Sequence, residues 1–435
     1  MLSLCHCADV MKILIVNTNE KSGGAAVAAG RLAEALSRNG VKAMMAVMNK
    51  ETDRITVVPT QSLWQRKKNF LLERLGIFVR LHFSRTHLFD IDTASSGTDI
   101  TSLPEFRDAD VIHLHWINQG MLSLRNIRSI LDSGKPVVWT MHDIWAATSL
   151  CHLTLDCTAF HTSCSNCRLL PGGGSDNDLS SKVWRRKEKV LRGSTIHFVT
   201  CSRWLEGEAR KSALLREHDI TNIPNPIDSR LFAPRDKTAA RLAAGLPADK
   251  HLILFAAQRV TNRYKGMDYL ISACRKMGEQ HPEMLSNTGI VVLGGSSDEL
   301  GSSFTFPVYP MGYVSDPKKM AELYNAADVF VLPSLSENLP NTIMESMACG
   351  VPCVGFEVGG IPEEIDHMKN GYVARYKSAD DLAAGIRWVL CESDHEALGR
   401  NALEKVASHY SQQSVAMKYI GVYEKAIKEQ LNHKL

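Results

Sequence analysis

Short apolar runs alternate with helical stretches along almost the whole chain, and this rhythm constrains the fold more than any single motif. The runs in the first half are Lys12 to Asn17, Lys42 to Met48, Val111 to His115, Pro136 to Met141 and Ile196 to Cys201. The pattern restarts at His251 to Ala257 and continues through Gly289 to Leu293, Val308 to Met311, Val329 to Leu332 and Val351 to Phe356. Strands that alternate with helices build parallel, doubly wound sheets, so the expected class is α/β. With 435 residues, 44% of them apolar, the chain can bury two cores. Between the halves, Ile223-Pro-Asn-Pro-Ile-Asp228 and then Pro234 read as a linker, because proline restricts the backbone to extended forms. The expected domains are therefore 11–228 and 229–410. A final segment, 411–435, contains a helix over Gln412 to Leu431 with apolar Val415, Tyr419, Val422, Tyr423 and Ile427.

A net charge of +3 is too small to imply a nucleic-acid partner. No apolar run reaches the roughly 18 residues of a membrane-spanning helix. Met1 to Val10 lacks the basic region and apolar core of a signal peptide and reads as an extension ahead of a start at Met11. Eleven cysteines without an export signal point to a reducing cytoplasm, where thiols bind metal or fill cores.

The densest chemistry lies in Pro333-Ser-Leu-Ser-Glu337-Asn-Leu-Pro-Asn-Thr-Ile-Met-Glu345. A strand runs into a Pro/Ser loop, and a helix starts near Pro340, where a missing N–H costs nothing. Gly350 and Pro352 end that helix. Its N-terminus offers amides around Asn338 to Asn341 to an anion such as a pyrophosphate. Glu345 can accept two hydrogen bonds from a ribose diol. Taken alone, each glutamate also fits a solvated or helix-start acid.

In combination, this stretch resembles the Glu-x7-Glu motif of glycosyltransferase family 4, whose members are retaining enzymes of the GT-B fold. The resemblance runs from Met11 over nearly the whole chain. It implies two Rossmann-like domains facing a central cleft, an acceptor side in the first and a nucleotide-sugar site in the second. It also implies that Glu345 holds the ribose and that Glu337, Asn338, Leu339 and Pro340 lie near the donor sugar and phosphate. The final helix is expected to cross back to the first domain. Pro226 stands where the family's linker has glycine.

Further loops match. Ser22-Gly23-Gly24 precedes a helix expected from Val27 to Asn39 and reads as a structural turn or a phosphate cradle. The family carries a Gly-Gly loop here, which makes Gly23 and Gly24 donor-binding candidates. Gln258-Arg259…Arg263-Tyr264-Lys265-Gly266 resembles the family's Gly-Arg…Lys-Gly loop, whose cations neutralise the departing diphosphate. Gln258 replaces the glycine and the spacing is one residue wider, so Arg259 and Arg263 both remain partners for Lys265. Gly312-Tyr313-Val314 matches the base-binding segment. Thr140-Met-His142-Asp143 matches the histidine that contacts the donor sugar, and strand ends are where open α/β sheets place ligands. His113 and His115 share one face of a strand. His115 and Asp143 are acceptor-side candidates; core or metal roles fit His115 equally.

Cys151, Cys157, Cys164 and Cys167 crowd one irregular stretch, a set that suits either structural Zn²⁺ or free thiols. Asp90-Ile-Asp92 and Asp176-Asn-Asp178 fit the short Asp-x-Asp pattern of metal-dependent transferases, but neither follows a strand of the nucleotide half, and both are assigned to loops. No catalytic cofactor is implied. Residues 64–85 interleave Arg66, Lys67, Lys68, Arg74, Arg80 and Arg85 with Trp64, Phe70, Leu71, Phe78 and Phe83. They read as a helix with a solvated basic face or as a segment lying on anionic lipid.

The expected activity is hexosyl transfer, with retention, from a UDP- or GDP-sugar to a saccharide acceptor. A lipid-linked acceptor in bacterial surface-polysaccharide synthesis is expected, with the protein cytoplasmic and peripheral to the inner face of the membrane. The alternatives are a GT-B-shaped nucleotide-sugar epimerase and a non-catalytic nucleotide-sugar-binding protein.

Overall fold

The computed structural model describes residues 10–432, so Met1–Val10 lies, apart from Val10, outside the described residues. The chain divides into two compact units. One runs to Ile223 and takes up the chain again from Val415; the other is Pro224–Ser414.

The first unit is built on seven strands: β1 (Lys12–Asn19), β2 (Lys42–Asn49), β3 (Val57–Pro59), β4 (Val111–Leu114), β5 (Val137–Met141), β6 (Ile196–Thr200) and β7 (Asp219–Asn222). All pairings are parallel, in the order β3-β2-β1-β4-β5-β6-β7. Successive side chains alternate between two apolar layers, as a sheet covered on both faces requires. Leu14, Val16, Ile112 and Leu114 enter one layer with Trp139 and Phe198. Ile13, Ile15, Val111 and Val138 enter the other, beneath Leu32 and Leu36 of helix Gly24–Arg38. The last helix, Gln412–Asn432, belongs to this second layer and buries Val415, Ala416, Tyr419 and Tyr423.

The second unit has six strands: β8 (His251–Arg259), β9 (Thr288–Gly295), β10 (Val308–Pro310), β11 (Val329–Leu332), β12 (Cys353–Phe356) and β13 (Gly371–Ala374). They too are parallel, in the order β10-β9-β8-β11-β12-β13. Both sheets thus show the doubly wound order in which the winding reverses beside the first strand, at β1/β4 and at β8/β11. That reversal opens a crevice at the carboxyl ends of the strands, the usual ligand position in such sheets.

The far end of the second sheet is fixed by charge. Asp328 receives Arg241 (2.6 Å), Lys237 (2.7 Å) and the Leu252 amide (2.7 Å). Burial opposes its ionisation, but these donors win and hold the carboxyl below its ordinary value. Strands β3, β7 and β13 were absent from the sequence reading. All three are sheet edges of three or four residues, where pairing on one side only asks little apolar character of a strand.

Candidate active site

In the second unit the crevice is lined by three loops. Strand β8 bulges between Ala256 and Arg259, which turns Arg259 outward, exposed and in register with Gly295. Asn262 caps a short turn, Arg263–Lys265, by accepting the Tyr264 amide. The Arg263 guanidinium lies over the Tyr264 ring and donates to its hydroxyl (2.8 Å).

Gly266 then takes φ +71°, and an added Cβ there would stand 1.8 Å from the carbonyl oxygen of Pro333. Only glycine lets the two loops touch this closely. The contact places the Lys265 ammonium against the Glu337 carboxylate, to which Ser334 also donates (3.2 Å). The Leu335 amide donates to the Tyr264 carbonyl (2.8 Å), which ties the loops a second time.

Pro340 caps helix Asn341–Ala348, and no side chain bonds the cap, as expected for an end that offers its amides outward. Leu339 and Pro340 are buried, and Asn338 is half-buried and accepts from the Gly360 amide (2.7 Å). Glu345 is buried one turn into the helix and accepts from the Tyr324 hydroxyl (2.9 Å). Gly312 accepts from the Gly294 amide, and Tyr313 beside it is 58% exposed, with Val314 half-buried.

One residue here escaped the sequence reading. Glu364 is fully buried with neither carboxyl oxygen bonded. Burial first, and then the charge of Glu337, push its carboxyl well above the ordinary range, which favours the protonated, neutral form. Its burial distinguishes it from its neighbour Glu363, which the sequence could not do.

In the first unit, Gly23 (φ +94°) caps helix Gly24–Arg38 directly after β1, so that helix starts three residues earlier than its pattern suggested. His142 follows β5. Its Nε2 lies 2.9 Å from Nδ1 of His115, and its Nδ1 lies 3.5 Å from Cys201 Sγ. Both ring nitrogens therefore have protein partners, and a sugar hydroxyl must displace one of them to bond the ring.

Nε2 of His115 is buried without a partner among the described residues. Beneath it, His113 bonds Thr140 (2.7 Å) and Tyr423 (2.8 Å), and Thr140 bonds Tyr419 (3.0 Å). Burial lowers His142 to about 4, His113 to about 3, and His115 well below its ordinary value. The three rings are neutral at pH 7.

Asp143 accepts from the Trp116 indole (2.9 Å), the Trp145 amide (2.8 Å) and His152 (2.8 Å). Burial disfavours charge on both partners, but their pairing prevails, lowering Asp143 and raising His152. These bonds give Asp143 a positioning role for the β5 loop, which its acceptor-side assignment did not anticipate.

Cys151, Cys157, Cys164 and Cys167 are free, half-buried thiols. Burial pushes Cys151 up to about 11 and Cys164 up to about 12. Among the described residues no three His, Cys, Asp or Glu side chains are grouped to hold a metal ion. Of the Asp-x-Asp pairs, Asp92 is buried against Arg74 (2.7 Å) and Asp178 caps helix Leu179–Leu191.

A family model described as Glycosyltransferase Family 4 matches residues 22–231, and one described as Glycosyl transferases group 1 matches residues 250–392. The chain is 27% identical over 421 residues to an uncharacterised glycosyltransferase of Methanocaldococcus jannaschii, covering 93% of this chain and 95% of that one. It is 30% identical over 225 residues to a D-inositol 3-phosphate glycosyltransferase of Nocardiopsis dassonvillei. That match covers 47% of this chain and 51% of the relative, about half of each. Among solved structures, sucrose-phosphate synthase from Thermosynechococcus elongatus superposes with a TM-score of 0.66 at 18% identity, over 96% of this chain and 100% of that one. Anabaena HepE in complex with UDP and glucose gives 0.63 at 16%, over 95% and 100%.

Proposed function

Because this chain belongs to glycosyltransferase family 4 and has the GT-B fold, we propose that it transfers a hexosyl unit, with retention, from a UDP- or GDP-sugar to a saccharide acceptor. The observation that carries the reading is the junction of Lys265 with Glu337 at the carboxyl ends of β8 and β11, beside the N-terminus of the helix that holds Glu345. A fixed cation and a row of helix amides meet an anion there. Both act most strongly when charge builds on the diphosphate as the sugar–phosphate bond breaks.

In this reading Glu345 holds the ribose, and the Gly312–Val314 loop takes the base. Arg259, exposed at the end of β8, supplies the second cation, with Arg263 beside it. Glu337, bonded to Lys265, turns to the donor sugar when the diphosphate takes the ammonium. His142, Gly23 and Gly24 are the donor-binding candidates of the first unit, with His115 an acceptor-side candidate there. No residue is assigned as covalent nucleophile. The C1–O bond to phosphate breaks as the acceptor oxygen attacks the same face, and the acceptor proton passes to the departing phosphate oxygen. A neutral His142 suits hydrogen bonding to the sugar rather than proton transfer.

The acceptor proposed is a saccharide, lipid-linked in surface-polysaccharide synthesis. Titration with UDP and with GDP, followed by thermal shift, should raise the unfolding temperature with one of them. Glu345→Ala should abolish that rise. Indifference to both nucleotides, or full activity in Glu345→Ala, refutes the proposal.

A further inference from the structure

Helix Leu63–Arg80 is built inside out. The side chains it turns into the unit are Asn69, Glu73, Arg74 and Ile77, three of them polar. Glu73 is fully buried and accepts from the amides and hydroxyls of Thr93 and Ser95 and from the Ser96 amide. Arg74 pairs with Asp92 and donates to the carbonyls of Leu88 and Ile91. Polar bonds, with Ile77, therefore anchor the helix, and most of its apolar residues are left outside the core.

Those residues face water. Trp64, Leu71, Leu72, Leu75 and Val79 recur at helical spacing on the opposite side, each between 47% and 71% exposed. Phe83 continues the stripe at 68% exposure. Its φ is +63°, a costly backbone conformation for a bulky residue, and its ring packs on Phe78 at 5.6 Å. An apolar row this long is not an ordinary scatter of surface leucines.

The charges around it have one sign. Lys67, Lys68, Arg80 and Arg85 are exposed, and Glu73, the sole acid of 63–85, is turned inward. We propose that this face docks on an anionic lipid bilayer, with Trp64, Leu71, Leu75, Val79 and Phe83 entering the headgroup region and the four cations over it. The sign selects the occupant. A second copy seated face to face would bring two basic rims together, whereas acidic headgroups complement them. No helix among the described residues is long and apolar enough to cross a membrane, so contact through this face lies along the surface. The proposal does not rest on the donor reading, because vesicle partition needs no nucleotide sugar.

Flotation with vesicles of phosphatidylglycerol and phosphatidylcholine, against phosphatidylcholine alone, tests it. The protein should float with the anionic vesicles and be released by salt. Leu71→Glu/Leu75→Glu should lower partition at least about tenfold on both compositions, and Lys67→Glu/Lys68→Glu by a similar factor on anionic vesicles only. All four side chains are exposed, so unfolding temperatures should match the parent. Protein that stays at the bottom of the gradient, variants that float like the parent, or a solution dimer split by Leu71→Glu/Leu75→Glu without vesicle binding would each overturn it.

Discussion

Replacing Gly266 with alanine tests whether the Lys265 and Glu337 loops are held together by a contact that excludes a side chain. The new Cβ would lie 1.8 Å from the Pro333 oxygen, about 1.5 Å inside ordinary carbon–oxygen contact. A left-handed backbone costs an alanine about 1 kcal/mol or more, and overpacking against an immobile carbonyl adds about 1–3 kcal/mol. The sum is about 2–4 kcal/mol, which for a unit of this size is a Tm lowered by roughly 4–16 °C. Gly301→Ala is the control, because its added Cβ meets nothing within 4 Å and its φ is not left-handed. Differential scanning calorimetry of both variants, with nucleotide titration at a temperature where both are folded, separates stability from binding. If the loops share one arrangement, Gly266→Ala also weakens nucleotide affinity, by about tenfold or more, while Gly301→Ala does not. A Gly266→Ala protein with parental Tm and affinity refutes the reasoning.

Lys265→Met keeps the bulk of the side chain and removes its charge. Its kcat should fall by about 10²–10³ with KM far less affected, as read from diphosphate release; a change below about threefold removes Lys265 from the chemistry. Acid should weaken the first unit before its exposed carboxylates are protonated. The unfolded chain binds protons at His113, His115 and His142 below about pH 6.5, whereas burial keeps folded His142 neutral to about 4, His113 to about 3, and His115 well below its ordinary value. His113 and His142 alone should therefore lower stability by about 4 kcal/mol between pH 6.5 and 4.5, and urea titrations that give a flat dependence there contradict it. Glu364→Gln should raise Tm at pH 8 and do little at pH 4.5, because only the unfolded glutamate gains by losing its proton; equal effects at both pH values count against a buried neutral acid. Protein purified without chelator should carry well below one zinc per chain, and a full equivalent by atomic absorption would show that the cysteine loop closes on metal.

The two sheets were legible in the sequence because each central strand is an apolar run between helices, and strand ends fell within two residues of the structure for most of them. The Lys265, Glu337 and Glu345 positions were legible because spacing within a loop or helix is local. Contacts set by strand order were not. His115 and His142 are 27 residues apart and meet because β4 and β5 are neighbours. Asp143 read as an acceptor-side candidate, and its partners Trp116 and His152 come from other loops. The inverted helix was half legible: its basic and aromatic content was plain, but Glu73 and Arg74 find their partners about twenty residues on, at Asp92, Thr93 and Ser95. The β-bulge that turns Arg259 outward is likewise not revealed by local pattern.

The return of the last helix to the first unit has a consequence for biogenesis. Tyr419 and Tyr423 seal a polar seam around His113 and Thr140 that water would otherwise reach. During translation those residues emerge only after every strand of both sheets has been made. The second unit is contiguous in the chain, whereas the earlier-made first unit waits, partly open, for its closing helix. A chaperone that recognises nascent apolar surface should therefore find its longest-lived target in the half that was synthesised first.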